Sequence, residues 1–354
     1  ITPDEPLWMA GYASRKEPCS VKQHDLWVKA LAIQHADGKK FVLLTSDLCG
    51  IPRALAEDVA SEVTKKGGLT RDQIVLTCTH THCGPVVYGN LIDMYDLTPD
   101  QPEKIKSYTN KLKGRMVEVI LDSLKETKPG DVCIDKGTAS FARNRRELKD
   151  KNIILGNNPE GPVDHDVPVM RVTDEKGTLR AVVFGYACHN TTLDNMEWSG
   201  DYAGFAQVEL EKQFPDAQAM FWIGFGADAN PFPRRTVDLA KRHGKELADA
   251  VVTVLRTPMQ RLSGPISTKY EEIAIPFDEL PDPSKWKTDA ASKTTAVRNR
   301  ANKFLKQLET GKLPRDYPHF PIQVVKFSDE LTWLFLGGEV VIDYNLRLKK
   351  ELLR

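Results

Sequence analysis

Apolar positions along the chain fall into short runs of two spacings. Short apolar runs at Val28–His35 and Lys40–Thr45 predict a strand pair joined at Asp37-Gly38. Pro52–Lys66 has helical spacing and stops at Gly67-Gly68, and Pro102–Glu126 is a long helical pattern that ends before Pro129-Gly130. Gln73–Thr79 is a short β-rich run. Further strands are predicted at Val132–Ala142, Val167–Thr173, Leu179–Ala187 and Ala217–Gly224. Helices are predicted at Ala203–Phe214, with Asp201 as a candidate cap, and at Val237–Leu255. The last third reads as strands near Ile266–Ile275, Ile322–Phe327 and Leu331–Leu336, then a helix from about Glu339 to the end. Asp278–Lys287, rich in Pro, Asp and Lys, and a charged helix around Ala291–Leu308 form a surface excursion rather than a domain boundary. There is no internal repeat. Strands alternating with helices predict one α/β domain spanning 1–354, a mixed β-sheet core flanked by helices.

Composition narrows the classes. The 354 residues carry 49 Lys+Arg against 49 Asp+Glu, with 41% hydrophobic and 28% charged residues, the balance of a globular protein. A chain of this length buries about three-quarters of its unfolded surface and needs no staples. Zero net charge argues against a nucleic-acid partner. No apolar run approaches the ~18 residues of a membrane span, so no transmembrane segment is expected in this chain. Six cysteines without a CxxC pair exclude a disulfide scaffold, and Cys49, Cys78, Cys133 and Cys188 lie in apolar stretches as buried thiols would. The sequence opens at Ile1, which leaves room for a removed leader; composition alone leaves the compartment open.

Three segments carry chemistry. In Leu76-Thr-Cys-Thr-His-Thr-His-Cys-Gly-Pro85, an extended chain would point Cys78, His80 and His82 the same way. The pair reads either as metal-binding or as two polar strand residues satisfied by hydrogen bonds. In Phe184-Gly-Tyr-Ala-Cys-His-Asn-Thr-Thr192 an apolar strand ends at His189, which alone reads as structural or as a ligand. In Trp333-Leu-Phe-Leu-Gly-Gly-Glu-Val340, Glu339 reads alone as a first-turn acid favoured by the helix dipole. Together, each segment puts a polar residue just after an apolar strand, where open α/β sheets assemble their sites. Two histidines and a carboxylate make the His2Glu set of a catalytic zinc site.

Two stretches suggest substrate contacts. Phe141-Ala-Arg-Asn-Arg-Arg146 places Arg143 and Arg145 at a strand end, suited to an oxyanion or read as a solvated turn. In Gly224–Arg235, glycines allow close approach to a ligand while Asp228 and Asn230 offer polar groups, and a tight structural loop is the alternative. Asp164-His165-Asp166 reads as a polar connector, and His243 with Glu246 as a surface i,i+3 pair. A thiol nucleophile at Cys83 has no separate support. GxSxG, HExxH, P-loop and GxGxxG motifs are absent.

These segments resemble the catalytic domain of the neutral/alkaline non-lysosomal ceramidase family. The resemblance rests on Met9-Ala-Gly-Tyr12, Thr45-Ser-Asp-Leu48, Thr79-His-Thr-His-Cys-Gly-Pro85, Asn144-Arg145, Ala187-Cys-His189, Gly200-Asp-Tyr-Ala-Gly204, the Gly226–Pro231 loop and Gly338-Glu339, in family order. It implies a zinc-dependent hydrolase that cleaves an amide (N-acyl) bond by attack of metal-activated water. It also implies His80, His189 and Glu339 as Zn2+ ligands, His82 as the neighbouring catalytic histidine and Arg145 as the active-site arginine. Asp47 would orient one of the histidines.

The sequence departs from the family where a Gly-Asp-x-Ser-Pro loop appears as Ala227-Asp-Ala-Asn-Pro231, with Asn230 in place of the serine. The family's tyrosine ligand falls beyond Arg354, Tyr344 is turned away from Glu339, and the C-terminal immunoglobulin-like domain lies outside this chain. Arginines at 143, 145, 146, 234 and 235 point to a more polar substrate than ceramide. The alternatives are a metal-dependent esterase or deacylase on a small polar or sugar substrate, and a catalytically inactive binding protein that retains the fold. The expected partner is a small-molecule amide or ester, and the resemblance implies an extracellular or periplasmic location.

Overall fold

Local sequence signals act first at Asp37-Gly38, where a turn with Gly38 at φ 87° folds β1 (Val28–Gln34) onto β2 (Lys40–Ser46) in antiparallel register. The computed structural model describes residues 1–352 apart from 126 and 315. The chain continues through α1 (Arg53–Gly67), β3 (Ile74–Leu76), α2 (Gln101–Lys125), β4 (Gly130–Thr138), β5 (Ala142–Lys149), β6 (Asn152–Asn158), β7 (Asp166–Asp174) and β8 (Leu179–Tyr186). Then come α3 (Asp201–Gln213), β9 (Gln218–Ile223), β10 (Ala229–Pro231), α4 (Val237–Leu255), β11 (Gln260–Arg261) and β12 (Ile266–Pro276). The last elements are α5 (Pro283–Asp289), α6 (Thr295–Glu309), β13 (Asp316–Phe327), β14 (Leu331–Leu336) and α7 (Ile342–Leu352).

The expected α/β architecture holds, with the strands of the described residues divided among four sheets: β1-β2-β3, β10-β5-β6, β11-β4-β7-β8-β9 and β12-β13-β14. The pairs β2–β3 and β8–β9 are parallel, and the rest are antiparallel. Aliphatics of α1 and α2, among them Val59, Val63, Met116 and Ile120, pack under Val42 and Leu44 of β2. On the five-stranded sheet, Val182, Phe184 and Phe221 are covered by α3 and α4. α4 buries Ala240, His243, Gly244, Leu247, Ala248 and Val251, the i, i+3, i+4 stripe its sequence predicts. Gly244 permits the approach of α3, since a Cβ there would lie 2.7 Å from Phe205 Cβ. Phe41, Leu43, Val183, Met220, Val325 and Phe327 join three sheets in one core. All six cysteines are free thiols.

Several expectations are corrected. The run Val132–Ala142 is two strands, broken between Thr138 and Ala142. The hairpin β5–β6 was not anticipated; it turns on Asp150 and Lys151, both left-handed (φ 48° and 65°), as a two-residue turn requires. The final helix starts at Ile342, so Glu339 lies before it rather than in its first turn. Asp164 and Asp166 are not a free connector: Asp164 is buried and takes Lys349 Nζ at 2.6 Å, with Asp166 at 2.8 Å, which fastens α7. His243 is not at the surface. It is buried against Phe141 and its Nε2 donates to the Pro233 carbonyl, while Glu246 accepts from Ser140.

Asp201 is the first residue of α3, at φ 56°, rather than its cap. Its buried carboxylate accepts from the backbone N–H groups of Leu193 and Tyr202. Burial outweighs those donors and pushes its pKa up to about 6, from a model-compound value of 3.8. The fold therefore binds this proton more tightly than the unfolded chain does. The associated stability is present in full below about pH 4 and is lost as pH rises through about 6, a change of about 3 kcal/mol. Asp201→Asn, neutral throughout, is expected to flatten that fall; urea unfolding of both proteins at pH 4.5 and 7 checks it. Parallel pH profiles would rule Asp201 out as the source.

Candidate metal centre

β3 ends at Leu76, yet the N–H groups of Thr77 and Thr79 still bond the Leu44 and Ser46 carbonyls. The chain then turns at His80, which has φ 59°. His80 and His82 thus share a site because of a left-handed turn, and not because a strand alternates. His80 Nδ1 lies 2.6 Å from the Cys49 carbonyl; a carbonyl only accepts, so Nδ1 carries the proton and Nε2 is left with its lone pair. His82 Nε2 stands 3.3 Å from that Nε2. His82 rests edge-on against Tyr12, and Arg15 donates to its carbonyl at 2.7 Å. Gly11, at φ 95°, makes the fit possible, since a Cβ there would lie 2.4 Å from His82 Cγ. Gly11 entered the sequence reading only as part of Met9-Ala-Gly-Tyr12, and Arg15 not at all; contacts across some seventy residues leave no local signal.

His189 follows β8 by three residues and is held in the same way. Its backbone N–H donates to the Ala229 carbonyl and its Nδ1 donates to the Gly226 carbonyl at 3.0 Å, which leaves Nε2 as an acceptor. The Glu339 carboxylate is carried by the segment after β14, with Gly337 and with Gly338 at φ 74°. It lies 3.2 Å from His189 Nε2 and 3.7 Å from His80 Nε2. Burial, reinforced by His189, lowers the His80 pKa to about 4, so its imidazole is neutral.

The loop 224–230 braces three of these groups at once. It supplies the two carbonyls that hold His189. Ala227 N–H donates to Val340 and the Asp228 carboxylate accepts from Ile342 N–H at 2.9 Å, which fixes the segment bearing Glu339. The Asp228 carbonyl takes the Arg145 N–H, and Asn230 Oδ1 accepts weakly from Arg145 Nη1 at 3.4 Å and from Thr191. Asp228 and Asn230 are thus buried and engaged with the protein itself. Arg143 is half-buried on β5, opposite Asn230. Arg145 reaches to 3.9 Å from Glu339, and its buried Nε has no partner. The expected role of Asp47 is corrected: its buried carboxylate accepts from Trp27 N–H, and backbone carbonyls orient the histidines instead.

Among the described residues, His80, His189 and Glu339 offer donor atoms that all lie within 4.8 Å of one another. Two imidazoles whose Nδ1 atoms are tied to carbonyls and whose Nε2 atoms face the Glu339 carboxylate fit a divalent ion such as zinc. Glu339 lies on the exposed side of the set, where a coordination position would stay open to solvent. A second set, Cys49 with His80 and His82, shares His80. It fits less well, because the buried Cys49 thiol is raised well above its usual pKa and faces the committed Nδ1 at 3.9 Å.

The sequence model of the family described as neutral/alkaline non-lysosomal ceramidase, N-terminal, matches residues 3–231. That span holds every residue named above except those around Glu339. Neutral ceramidases A and B of Dictyostelium discoideum are 26% and 25% identical over 201 and 202 residues. Each match covers 52% of this chain and 26% of the relative, so the chain matches about a quarter of the length of these curated relatives. The crystal structure of neutral ceramidase from Pseudomonas aeruginosa superposes with a TM-score of 0.73 at 18% identity, over 98% of this chain and 62% of that one. A structure described as ceramidase complexed with C2 gives the same score over 63% of its chain. At that identity the likeness is one of fold.

Proposed function

The chain belongs to the neutral/alkaline non-lysosomal ceramidase family, and from that membership we propose that it hydrolyses an N-acyl amide bond with the help of a bound metal ion. The observation that carries this reading is the convergence of the His80 and His189 Nε2 atoms on the Glu339 carboxylate, both imidazoles being locked in one tautomer. These three would hold the ion, and zinc suits two nitrogens and one carboxylate. Such an ion, when bound, polarises a carbonyl and makes water nucleophilic near neutral pH.

The remaining chemistry belongs to the chain. His82, beside His80, is placed to move a proton between the attacking water and the departing amine. Arg145, with its unpartnered Nε and its guanidinium near Glu339, is placed to stabilise the negative charge that builds on the carbonyl oxygen. Water adds to the acyl carbon, the C–N bond breaks, and a carboxylate and a free amine result. Asn230 takes no covalent part; its amide spaces the guanidinium from Thr191. The expectation of a more polar substrate draws no support from the relatives, which are themselves described as neutral ceramidases. The proposed substrate class is therefore the N-acyl amide, ceramides included.

The test is a panel of N-acyl amides, short-chain ceramides among them, and matched esters, offered to the zinc-loaded whole protein. Release of free amine and fatty acid from an amide is the expected result. Cleavage of the esters alone would move the reading to an esterase. An intact panel would move it to a binding protein.

A further inference from the structure

The hairpin β5–β6 leaves the site and ends in solvent. Its register places Leu148 opposite Ile153 and Arg146 opposite Leu155, so these four share one face. Leu148 is 70% exposed, Ile153 60% and Leu155 70%. Three aliphatics this open contribute almost nothing to folding, and on an edge strand they invite aggregation unless something covers them. The ribbon is held instead by its two-residue left-handed turn and by Glu147, which accepts from Asn157 N–H.

Cations outnumber acids on this ribbon. Arg146 lies on the apolar face, Lys149 on the opposite face beside Glu147, whose carboxylate is taken by Asn157 N–H, and Lys151 in the turn; all three cations are exposed. Asp150 is the one acid in the turn itself. A second copy of the chain docked tip to tip would set these cations against their own counterparts. An anionic lipid surface would accept both features, aliphatics below the headgroups and cations among them. β5 also carries Arg145, three residues or about 10 Å of strand before Leu148, so one strand joins the apolar face to a residue of the candidate centre.

We propose that the β5–β6 tip is a lipid-docking element that seats the protein on an anionic bilayer beside its site. The inference rests on the hairpin and not on turnover, so its failure would leave the amidase reading standing. The experiment is sedimentation of the whole protein with vesicles of phosphatidylcholine alone and with 30% phosphatidylserine. Binding is expected to favour the anionic vesicles and to weaken with salt. Leu148→Ser/Ile153→Ser/Leu155→Ser is expected to weaken it by about tenfold or more, with zinc content and melting temperature unchanged. Lys149→Glu/Lys151→Glu should remove the preference for phosphatidylserine. In Ile153→Trp, vesicles should shift the new emission to the blue. Absence of binding, binding that the serine variant keeps, or a concentration-dependent dimer that the serine variant dissolves while vesicles stay unbound would each overturn the proposal.

Discussion

Replacing His80 and His189 together by alanine is expected to take the zinc content of the purified protein from about one ion per chain to background, and amide hydrolysis with it. The two imidazoles supply both nitrogen donors of the proposed set, and Glu339 alone, open to solvent, is a weak site. The fold should survive. His80 and His189 lie on loops after β3 and β8, while the large cores under α1–α2 and α3–α4 involve neither ring. Circular dichroism checks that directly. A second readout separates metal loss from a simple loss of activity. Zinc at a hundredfold excess over its dissociation constant should raise the stability of the native chain by about 2.7 kcal/mol, and the double variant should show no such rise. Stoichiometric zinc in the variant would mean that the ion sits elsewhere, with Cys49 and His82 the first place to look. A native chain that takes up no zinc from excess would remove the hydrolase reading and leave a binding protein with this fold.

How much of this site was legible depended on range. His189 and Glu339 were found by a local rule, a polar residue just after an apolar strand, and β8 and β14 do end three residues before them. His80 and His82 were found for the wrong physical reason: the chain was read as extended through His82, whereas the φ of 59° at His80 makes the turn that brings the rings together. Nothing in a Thr-His-Thr-His run announces a left-handed residue, because glycine is its usual marker and none stands there. Asp228 was read as a polar group open to a ligand and Asp47 as the partner of a histidine, and only the tertiary fold shows that backbone N–H groups had claimed both. His243 failed similarly; its helical stripe is apolar, and its burial against Phe141 turns on a contact between distant segments. The hairpin β5–β6 escaped because its turn is Asp-Lys instead of Asn-Gly, and because Ile153-Ile-Leu155 does not alternate.

The loop that carries Asp228 yields the most demanding test, at Gly226. A Cβ there would lie 2.3 Å from the Ala187 carbonyl carbon, 2.4 Å from its oxygen and 2.5 Å from the Cys188 nitrogen. All three are backbone atoms, so no side-chain rotation relieves the clash and the loop itself must move. The Gly226 carbonyl accepts both His189 Nδ1–H and Ala229 N–H, so any shift releases the imidazole that this loop orients. Gly226→Ala is therefore expected to cost on the order of 1–3 kcal/mol of stability and to weaken zinc binding by about 10- to 100-fold, although no ligand has been changed. Competition with a chromophoric chelator measures the second effect and urea unfolding the first. Two further variants calibrate it. Gly224→Ala, whose Cβ would meet Ala187 at 3.1 to 3.2 Å, should show the same effects in smaller measure. Gly38→Ala, at φ 87° with nothing within 4 Å, should lose stability through backbone strain alone and bind zinc as before. If Gly226→Ala lost stability yet kept full affinity, the carbonyl would not be what orients His189, and the brace between this loop and the centre would be a matter of packing only.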